Sequence, residues 1–434
     1  MNMEDIRLDS IKYKVTKFEI IIPGLKEPYV IDDAHLGNFT IEKEYDKCVF
    51  PYMEFRVVVP DSIYRSIMDT AENVWVDLKI QYAHFNHFYE IDPEQSRSMF
   101  GTICDNRFYA FIANRSPKVS DSVLGERNKE KESDGLLTQY QFDNDHEIIM
   151  MLYRADHIFN TDQVINAVLH DATSTDAMVY YFKHLGLSNI LMSPAQIQTR
   201  HNQLILPPIP AIGGMRKMML TYGIHTAGTT LFFDYDFIYV LDKALGCTAW
   251  INNEIKTVYL TSFPTKGGDN AIMRSGFYAN GKERYCVINV VGDNISVQND
   301  AMFQDQLFGG NIAMIDSRTG DVAQRTMNLD VADTSPSKKG TINQVLVVDS
   351  GIDMTKTIQT AMEHSQYNFS INVQEVNIRA LSPNKDFIFT TDNDKYRKYC
   401  GHYRITSMGA TFTKESSLYT SMITATFTGG KATL

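Results

Sequence analysis

The chain has 434 residues, of which 44% are hydrophobic and 21% charged, and its formal net charge is −11. A chain of this length is usually too long to fold around a single hydrophobic core, so about two to four domains are predicted. The composition is typical of a soluble globular protein. The acidic charge is dispersed, which disfavours nucleic-acid binding through a basic face. No apolar run approaches the ~20 residues that cross a bilayer. The polar start MNMEDIRLDS is unlike a signal peptide, so we expect accumulation in the cytoplasm without membrane insertion.

Alternation of apolar and polar residues predicts strands in the early part of the chain. The alternating runs are Ile11–Val15, Phe18–Ile22, Met53–Val59 and Val74–Tyr82. The apolar phase changes between the first two runs, which predicts a bulge near Thr16 or Lys17 that keeps both sets buried. A curved sheet or barrel accommodates such a bulge better than a flat sheet.

Two polar stretches interrupt the apolar pattern. Residues 116–135, SPKVSDSVLGERNKEKESDG, contain hardly any apolar side chain and cannot bury enough surface to offset the entropy of ordering. They form either a long exposed loop or an arm that orders on a neighbouring subunit. The second stretch, residues 333–340, is the strongest domain boundary in the sequence.

Helices are predicted to be few and short. The predicted segments are a pair within 161–186, a third helix from Pro210 to Tyr222, and a fourth over 354–364. Thr161 or Asn160 would cap the first helix of the pair, which carries Val164 to Leu169, and Ser174 would cap the second, which ends at Gly186. The third helix ends at Gly223 and leads into an aromatic strand over 229–240.

The remaining segments continue the strand pattern. Asn280-Gly281 indicates a hairpin because these two residues readily supply the positive φ angles of a tight turn. Further strands are predicted over Phe369–Ile378, Tyr403–Phe412 and Tyr419–Phe427. The predicted fold class is α+β, mainly β, with antiparallel sheets.

The five cysteines are widely spaced and include no CxxC pair. They are Cys48, Cys104, Cys247, Cys286 and Cys400. We interpret them as buried reduced thiols; a disulfide framework or a zinc site is the alternative.

Two pairs of titratable residues are candidates for chemistry. His84 and His87 end a strand, where residues three apart point to opposite faces, so a metal site would need a turn and a distant carboxylate; the alternative is a pair of surface histidines. Asp234 and Asp236 would share one strand face and could work as an acid-base pair, or they could form a solvated or channel-facing acidic edge.

Other signatures of catalysis are missing from the sequence. The glycine pairs at 213–214, 267–268 and 309–310 lack phosphate-loop spacing, and there is no GxSxG, HExxH or cysteine nucleophile motif. Aromatic clusters beginning at His84 and Phe232 could stack on sugars, although core and subunit interface are their more usual roles. The sequence therefore predicts no enzyme and no catalytic, metal-binding or cofactor-binding residue, and it does not indicate which residues form an interface.

Two longer segments resemble a known family. MRKMMLTYGIHTAGTTLFFDYDFIYVL from Met215 and NKDFIFTTDNDKYRKYCGHYRITSMGATFTKESSLYTSMITATF from Asn384 are similar to the helix-to-strand passage and the C-terminal G-x-Y-x-[IV] pattern of tail hub proteins. Gly401, Tyr403 and Ile405 occupy the matching positions. The family comprises hubs of contractile phage tails, late control D proteins and the hub part of type VI secretion spikes.

The resemblance implies a domain order and an assembly. It implies an N-terminal barrel over 1–145, an α+β insertion over 146–206, a second barrel-forming region over 207–332 and a C-terminal β-rich domain over 341–434. It also implies a homotrimer in which each chain supplies two tube-like barrels, so that three chains match a six-fold tail tube. The expected partners are the tail tube or its initiator, a separate central spike, the tape measure protein and other baseplate proteins.

The resemblance also implies a place and a charge environment. The place would be the tail baseplate of a virion, assembled in the host cytoplasm, with DNA only in transit through a channel. A homotrimer would carry three times the formal charge of −11, which would keep DNA from adhering wherever acidic residues line the bore. The alternatives are a receptor- or glycan-binding baseplate protein and a baseplate-associated cell-wall hydrolase.

Overall fold

The structure is a computed structural model. It describes residues 6–7, 11–46, 50–70, 73–84, 101–113, 145–225, 228–243, 255–262, 276–280, 283–290, 294–298, 311–316, 322–326, 342–348 and 367–430. The helices are α1 Asp61–Asp69, α2 Ala155–Asp162, α3 Ser174–His184 and α4 Ala211–Thr221. The predicted loop at 116–135, the boundary at 333–340 and the helix at 354–364 lie outside the described residues.

Strands make up most of the described structure. The first twelve are β1 Ile6–Arg7, β2 Ile11–Ile21, β3 Tyr29–Val30, β4 Leu36–Glu44, β5 Tyr52–Pro60, β6 Val74–His84, β7 Gly101–Ala113, β8 Asp145–Arg154, β9 Ala167–Ala172, β10 Ile190–Met192, β11 His201–Leu206 and β12 Thr229–Phe233. The others are β13 Ile238–Asp242, β14 Thr257–Ser262, β15 Gly276–Asn280, β16 Glu283–Asn289, β17 Ile295–Gln298, β18 Asn311–Asp316, β19 Val322–Thr326, β20 Ile342–Val348, β21 Tyr367–Gln374, β22 Asp386–Thr391, β23 Gly401–Glu415 and β24 Leu418–Gly430.

Eight antiparallel strands pair in a closed ring. The pairings run β23–β4–β5–β8–β7–β6–β2–β24 and return from β24 to β23. The ring combines strands from the N-terminal part of the chain with the C-terminal hairpin β23–β24. The sheet therefore joins residues from both sides of the boundary expected at 333–340.

A second group of strands continues from the same hairpin. β22 pairs with the first part of β23, and β14, β16, β15 and β1 follow outward in that order, while β21 and β17 extend from β24. A bulge between Ile405 and Ser407 marks the place where β23 changes its partner from β22 to β4. The two long strands of the hairpin thus belong both to the closed ring and to the second, open group.

The core of the closed ring consists mainly of aromatic and β-branched side chains on alternate positions. Phe39 stacks on Phe55 at 4.5 Å and on Phe412 at 4.3 Å between ring centroids. Such pairs contribute about 0.5–1.5 kcal/mol beyond the burial of apolar area. Because Phe39 and Phe55 lie on β4 and β5 and Phe412 lies on β23, this stack fastens the C-terminal hairpin to the N-terminal strands.

A helical insertion has its own core. Met178, Tyr181 and Phe182 of α3 pack with Met215 and Met218 of α4, and all five side chains are buried. Two small sheets, β9–β11 and β10–β13–β12, complete this insertion. Thr173 caps α3 by accepting a hydrogen bond from the Asp176 amide, while the Asp176 side chain accepts from the Thr173 amide.

Several strand predictions are confirmed. The bulge of β2 lies between Val15 and Lys17 in its pairing with β6. β15 and β16 form the predicted hairpin, with Asn280 opposite Glu283, and β23 pairs with β24 along its length. The mainly β fold class is confirmed by the large sheet, and the two tube-like barrels stay a prediction. The sheets are not all antiparallel as predicted, because β14 pairs in parallel with β16 and β22, β10 with β13, and β18 with β20.

Two helix and strand predictions are wrong. The first predicted helix of the pair, carrying Val164 to Leu169, is instead a short helix that ends at Asp162 followed by the strand β9. Residues 229–240 form a hairpin rather than one strand, because β12 and β13 pair with each other across a turn at residues 234–237. Alternation alone could not separate one long strand from two short ones joined by a tight turn.

The described cysteines are free thiols. Cys104 and Cys286 are buried as predicted, whereas Cys400 is only half-buried. Burial raises the pKa of the Cys104 thiol to about 12, so it stays neutral. None of the described helices is long and apolar enough to span a membrane.

Candidate functional site

The most unusual polar feature is a set of charged side chains, with a buried Lys43–Asp234 pair among them, where the ring, the insertion and the C-terminal segment meet. We call it the charged junction; it comprises Lys43, Asp46, Arg154, Asp234, Asp236, Lys243, Arg379 and Arg404. Lys43 occupies an inward position of β4, in phase with Phe39, Ile41 and Tyr45. Its ammonium group donates to both carboxylate oxygens of Asp234, at 2.6 and 2.9 Å.

The turn between β12 and β13 is held by further contacts. The amide of Tyr235 donates to Asp234 at 2.8 Å, and the Lys43 ammonium lies 4.9 Å from the centre of the Tyr235 ring. Arg154 donates to the carbonyl of Tyr235, and Arg379 pairs with Asp236. This turn is therefore connected to β4, β8 and the C-terminal segment at once.

A second carboxylate completes the junction. Asp46 contacts Arg404 of β23 at 2.8 Å and Lys243 at 3.7 Å. Burial opposes ionisation of Asp46, but the Arg404 guanidinium and the Lys243 ammonium outweigh it and lower the pKa of this carboxyl group. Asp46 therefore stays charged and links the C-terminal hairpin to the end of β13.

Buried aromatic and imidazole groups next to the junction are kept neutral. Burial raises the pKa of Tyr45 and Tyr235 well above the usual value for a phenol, and nearby Asp234 adds to the shift. Burial, together with the Arg154 charge, lowers the pKa of His157 to about 4. The ion pairs are thus surrounded by side chains that carry no charge at neutral pH.

The geometry does not favour acid-base chemistry at Asp234 and Asp236. They do not share a strand face as predicted, because both lie in the turn, and each is paired with a different cation. A cavity of about 60 Å³ lies beside them, lined among others by Lys43, Phe237 and Arg379. Asp234 is 7% exposed, and both its carboxylate oxygens accept hydrogen bonds from Lys43. The Lys43–Asp234 ion pair therefore has a structural role and links β4 to the turn between β12 and β13.

The other predicted sites are placed as follows. His84 ends β6, and His87 lies outside the described residues. Gly213 and Gly214 lie within α4, and a side chain at Gly214 would meet the Tyr181 hydroxyl at 2.2 Å. The pairs at 267–268 and 309–310 fall outside the described part of the chain. Within that part, no group of three metal-ligating residues comes together.

The charged junction was not predicted, although one signal for it is present in the sequence. Phe39, Ile41 and Tyr45 alternate as core residues, and Lys43 falls in the same phase. A lysine at an inward position requires a buried partner. The sequence could not name that partner, because Asp234 is distant in the chain and was assigned to the middle of a strand.

Comparison with known proteins assigns the chain to a family. The family model described as Bacteriophage PBS1 gene 109 protein matches residues 17–427. The chain belongs to this family. The matched span contains the insertion, the whole of the charged junction and the closed ring apart from the start of β2 and the end of β24. No curated protein matches the chain.

This PBS1 gene 109 family protein is also similar to solved structures. The tail protein from Neisseria meningitidis MC58 has a TM-score of 0.46 and 7% identity, covering 95% of this chain and 96% of its own. The 43 kDa tail protein of prophage MuSo2 from Shewanella oneidensis has a TM-score of 0.45 and 8% identity, covering 94% and 96%. The E. coli c3393 protein, a component of the type VI secretion system, has a TM-score of 0.45 and 8% identity, covering 95% and 77%. The predicted relation to phage proteins is confirmed by the family match.

The outer wall of the closed ring carries two distinct surfaces in this family member. On β6 and β7, Asp77 pairs with Arg107 and Lys79 pairs with Asp105, each at 2.7 Å; we call this the charged face. Farther along the wall lies an aromatic face, in which ring centroids are 4.4 to 5.9 Å apart. Its members are Tyr52, Trp75, Tyr109, Phe111, Tyr153 and Phe159, and Phe111 and Phe159 are 46% and 41% exposed.

Proposed function

We propose that this protein is a tail hub of a phage virion: a non-enzymatic, homotrimeric ring in the baseplate that adapts a six-fold tail tube to a three-fold central spike. The ring leaves a channel for DNA and the tape measure protein. Its partners are the tube or its initiator, a separate spike protein, the tape measure protein and other baseplate proteins. Assembly takes place in the host cytoplasm.

The observation that carries this proposal is the pair of sheet systems built on one hairpin. The closed ring packs aromatic side chains around Phe39, and the second group of strands contributes another aromatic group, in which Phe369 contacts Phe389, Tyr403 and Phe427 at 4.6–5.1 Å; both groups belong to one continuous core. Two tube-like units in one chain are what a three-fold ring requires to present six units to a six-fold tube.

The domain division follows from the same pairing. The N-terminal barrel consists of strands before residue 155 together with the C-terminal hairpin, and residues 155–243 form the insertion. The second barrel unit includes β14–β16 and β21–β24. The charged junction holds these parts in one orientation, which an adaptor between two symmetries needs.

The aromatic face supports subunit contact. Large exposed aromatic side chains are enriched at protein interfaces, and a contiguous apolar patch on a monomer usually marks such a site. Here the patch lies on the outer wall of the ring rather than in a groove. A flat wall is suited to packing against a second wall.

Native mass spectrometry of the purified chain tests the proposal. The expected species contains three copies of the 49.4 kDa chain and persists on dilution. A single copy at every concentration, or a species with an even number of copies, would contradict the hub assignment. Hydrolysis of peptidoglycan by the same sample would contradict the non-enzymatic role.

A further inference from the structure

A surface without charged side chains, and polar apart from Met422, covers the outer side of the shared hairpin β23–β24 and of the adjacent strand β21. It comprises the outward side chains of residues 368–374 on β21, 422–428 on β24 and 407–411 on β23, and we call it the threonine face. Two of its rungs are Ser370–Thr426–Ser407 and Asn372–Thr424–Gly409. None of the outward residues in these three ranges is charged.

The side chains of this face bond to one another. The Thr424 hydroxyl donates to the Asn372 side-chain carbonyl at 2.7 Å, and Ser370 and Thr426 share a hydrogen bond of 3.0 Å. Thr428 bonds to Asn368 in the next rung. Much of the hydrogen-bonding capacity of these serine, threonine and asparagine side chains is therefore used within the face.

The threonine face differs from the charged face of the same ring. There, lysine, arginine and aspartate alternate across β6 and β7. Two cations lie at the border of the threonine face. Arg404 is engaged by Asp46 through two contacts of 2.8 and 2.9 Å, and Lys12 pairs with Glu375 at 2.6 Å and with Glu415 at 3.1 Å. A phosphate group that approached the threonine face would thus find no unpaired cation in the ranges that define it.

The position of the face in the fold is also distinctive. β23 and β24 run through both the closed ring and the second group of strands. The outer side of this hairpin is therefore continuous from one barrel unit to the other. A channel wall formed by both barrel units needs such continuity, because a gap between the units would expose unpaired strand edges to the DNA that passes through.

We propose that the threonine face lines the bore of the hub and acts as a non-adhesive wall for double-stranded DNA in transit. The inference rests on the proposed hub function and specifies which surface faces the channel. DNA carries about one negative charge per 1.7 Å of its axis and adheres where cations displace its counterions. A wall without free cations, whose hydroxyls are already bonded, offers little hold on DNA. The bore is thus predicted to offer DNA no free cation along this face, and the Glu42 carboxylate beside Gly409 adds negative charge at the edge of the face.

Cysteine accessibility in the assembled ring tests the location. Thr424→Cys is placed on the threonine face, and Asp105→Cys, on the charged face, is the matched control. Each variant is treated with a small maleimide and with a maleimide bearing a long polyethylene glycol chain, and labelling of the peptide that carries the new cysteine is read by mass spectrometry.

In the unassembled chain both reagents are expected to label residue 424. On assembly, residue 424 should lose labelling by the bulky reagent and keep labelling by the small one, while residue 105 keeps both.

The other outcomes are distinct. Labelling of residue 424 by both reagents in the ring would place this face on the outside, and labelling by neither would place it in a subunit interface; either result overturns the inference while the hub survives. Failure to form a ring at all would overturn the hub function and this inference with it.

A binding measurement tests the lack of adhesion. The double variant Asn372→Lys/Thr424→Lys adds six lysines to a trimeric bore, and the assembled ring should bind a DNA duplex at least about tenfold more tightly, with a steeper dependence on salt. Adding the same charge at Gln203 and Val179 of the insertion is the control. Equal affinity of the wild-type ring and the double variant for the duplex would contradict a non-adhesive wall.

Discussion

Lys43 and Asp234 form the interaction on which the charged junction depends. Both side chains are 9% exposed, so each has lost most of its hydration and is stabilised by the other. The net contribution of such a pair to stability is small, because desolvation offsets the attraction between the charges. Removing only one partner is strongly destabilising, because it leaves an isolated charge in an apolar environment.

Replacement of Lys43 by methionine should therefore be strongly destabilising. Lys43→Met is expected to lower the free energy of unfolding by about 3–5 kcal/mol, measured by urea denaturation. The double variant Lys43→Met/Asp234→Leu should recover most of this loss, because neither partner of the pair is left as an unpaired buried charge. Lys79→Met, which removes an exposed partner of Asp105, should cost no more than about 1 kcal/mol. A similar cost for both single variants would show that burial of the junction pair is unimportant.

His157 should make the protein sensitive to acid. Its pKa is lowered from 6.5 to about 4, first by burial and then by Arg154. Between these two values the unfolded chain binds a proton that the folded chain does not, so the free energy of unfolding falls as the pH drops through this range. Going from pH 7 to pH 5 should cost about 2 kcal/mol at this residue. His157→Gln should remove that part of the pH dependence; an unchanged pH profile in the variant would refute the assignment.

The C-terminal hairpin is the element that joins the two sheet systems. Its two strands pair over most of their length, and the bulge at Ile405 and Ser407 changes the partner of β23 without exposing the core side chains on either side. The sequence predicted these strands from alternation, and their pairing with each other is the usual outcome for neighbouring strands. It could not predict their pairing with β2 and β4, because contacts between the two ends of a chain leave no periodic signal.

Two glycines of this hairpin provide a matched test. A side-chain carbon at Gly429 would lie 2.2 Å from the His402 carbonyl and 2.8 Å from the Tyr403 Cα, both backbone atoms, whereas at Gly409 it would meet the flexible Glu42 carboxylate at 2.8 Å. Gly429→Ala should therefore destabilise the protein by about 1–3 kcal/mol, measured by thermal or urea unfolding. Gly409→Ala should change stability by less than about 1 kcal/mol. The reverse order would contradict the close strand pairing.

The insertion illustrates where sequence patterns reach their limit. The helix predicted from Ser174 to Gly186 is observed as Ser174–His184, because its apolar stripe is a local signal; the predicted cap Ser174 is wrong by one residue, since Thr173 caps the helix. Val164 to Leu169 carries a similar spacing of apolar residues, but Val168 and Ile205 are directly opposed on β9 and β11. Pairing with a distant strand outweighed a weak local preference for helix, which propensity alone does not foresee.

At the scale of the whole molecule, family membership and fold support one account. The matched span of 17–427 includes nearly every described strand, and the fold places a closed ring beside a second, open group of strands on one hairpin. These two groups of strands and the exposed aromatic face are the features on which the proposed hub function depends. The charged junction connects the insertion to the closed ring and to the C-terminal segment.

Electron microscopy of the purified protein is the most direct test of this account. The prediction is a ring with three-fold symmetry in which six barrel-shaped densities, two from each chain, surround an open bore. A compact monomer, a two-fold dimer, or a three-fold particle without a bore would contradict it.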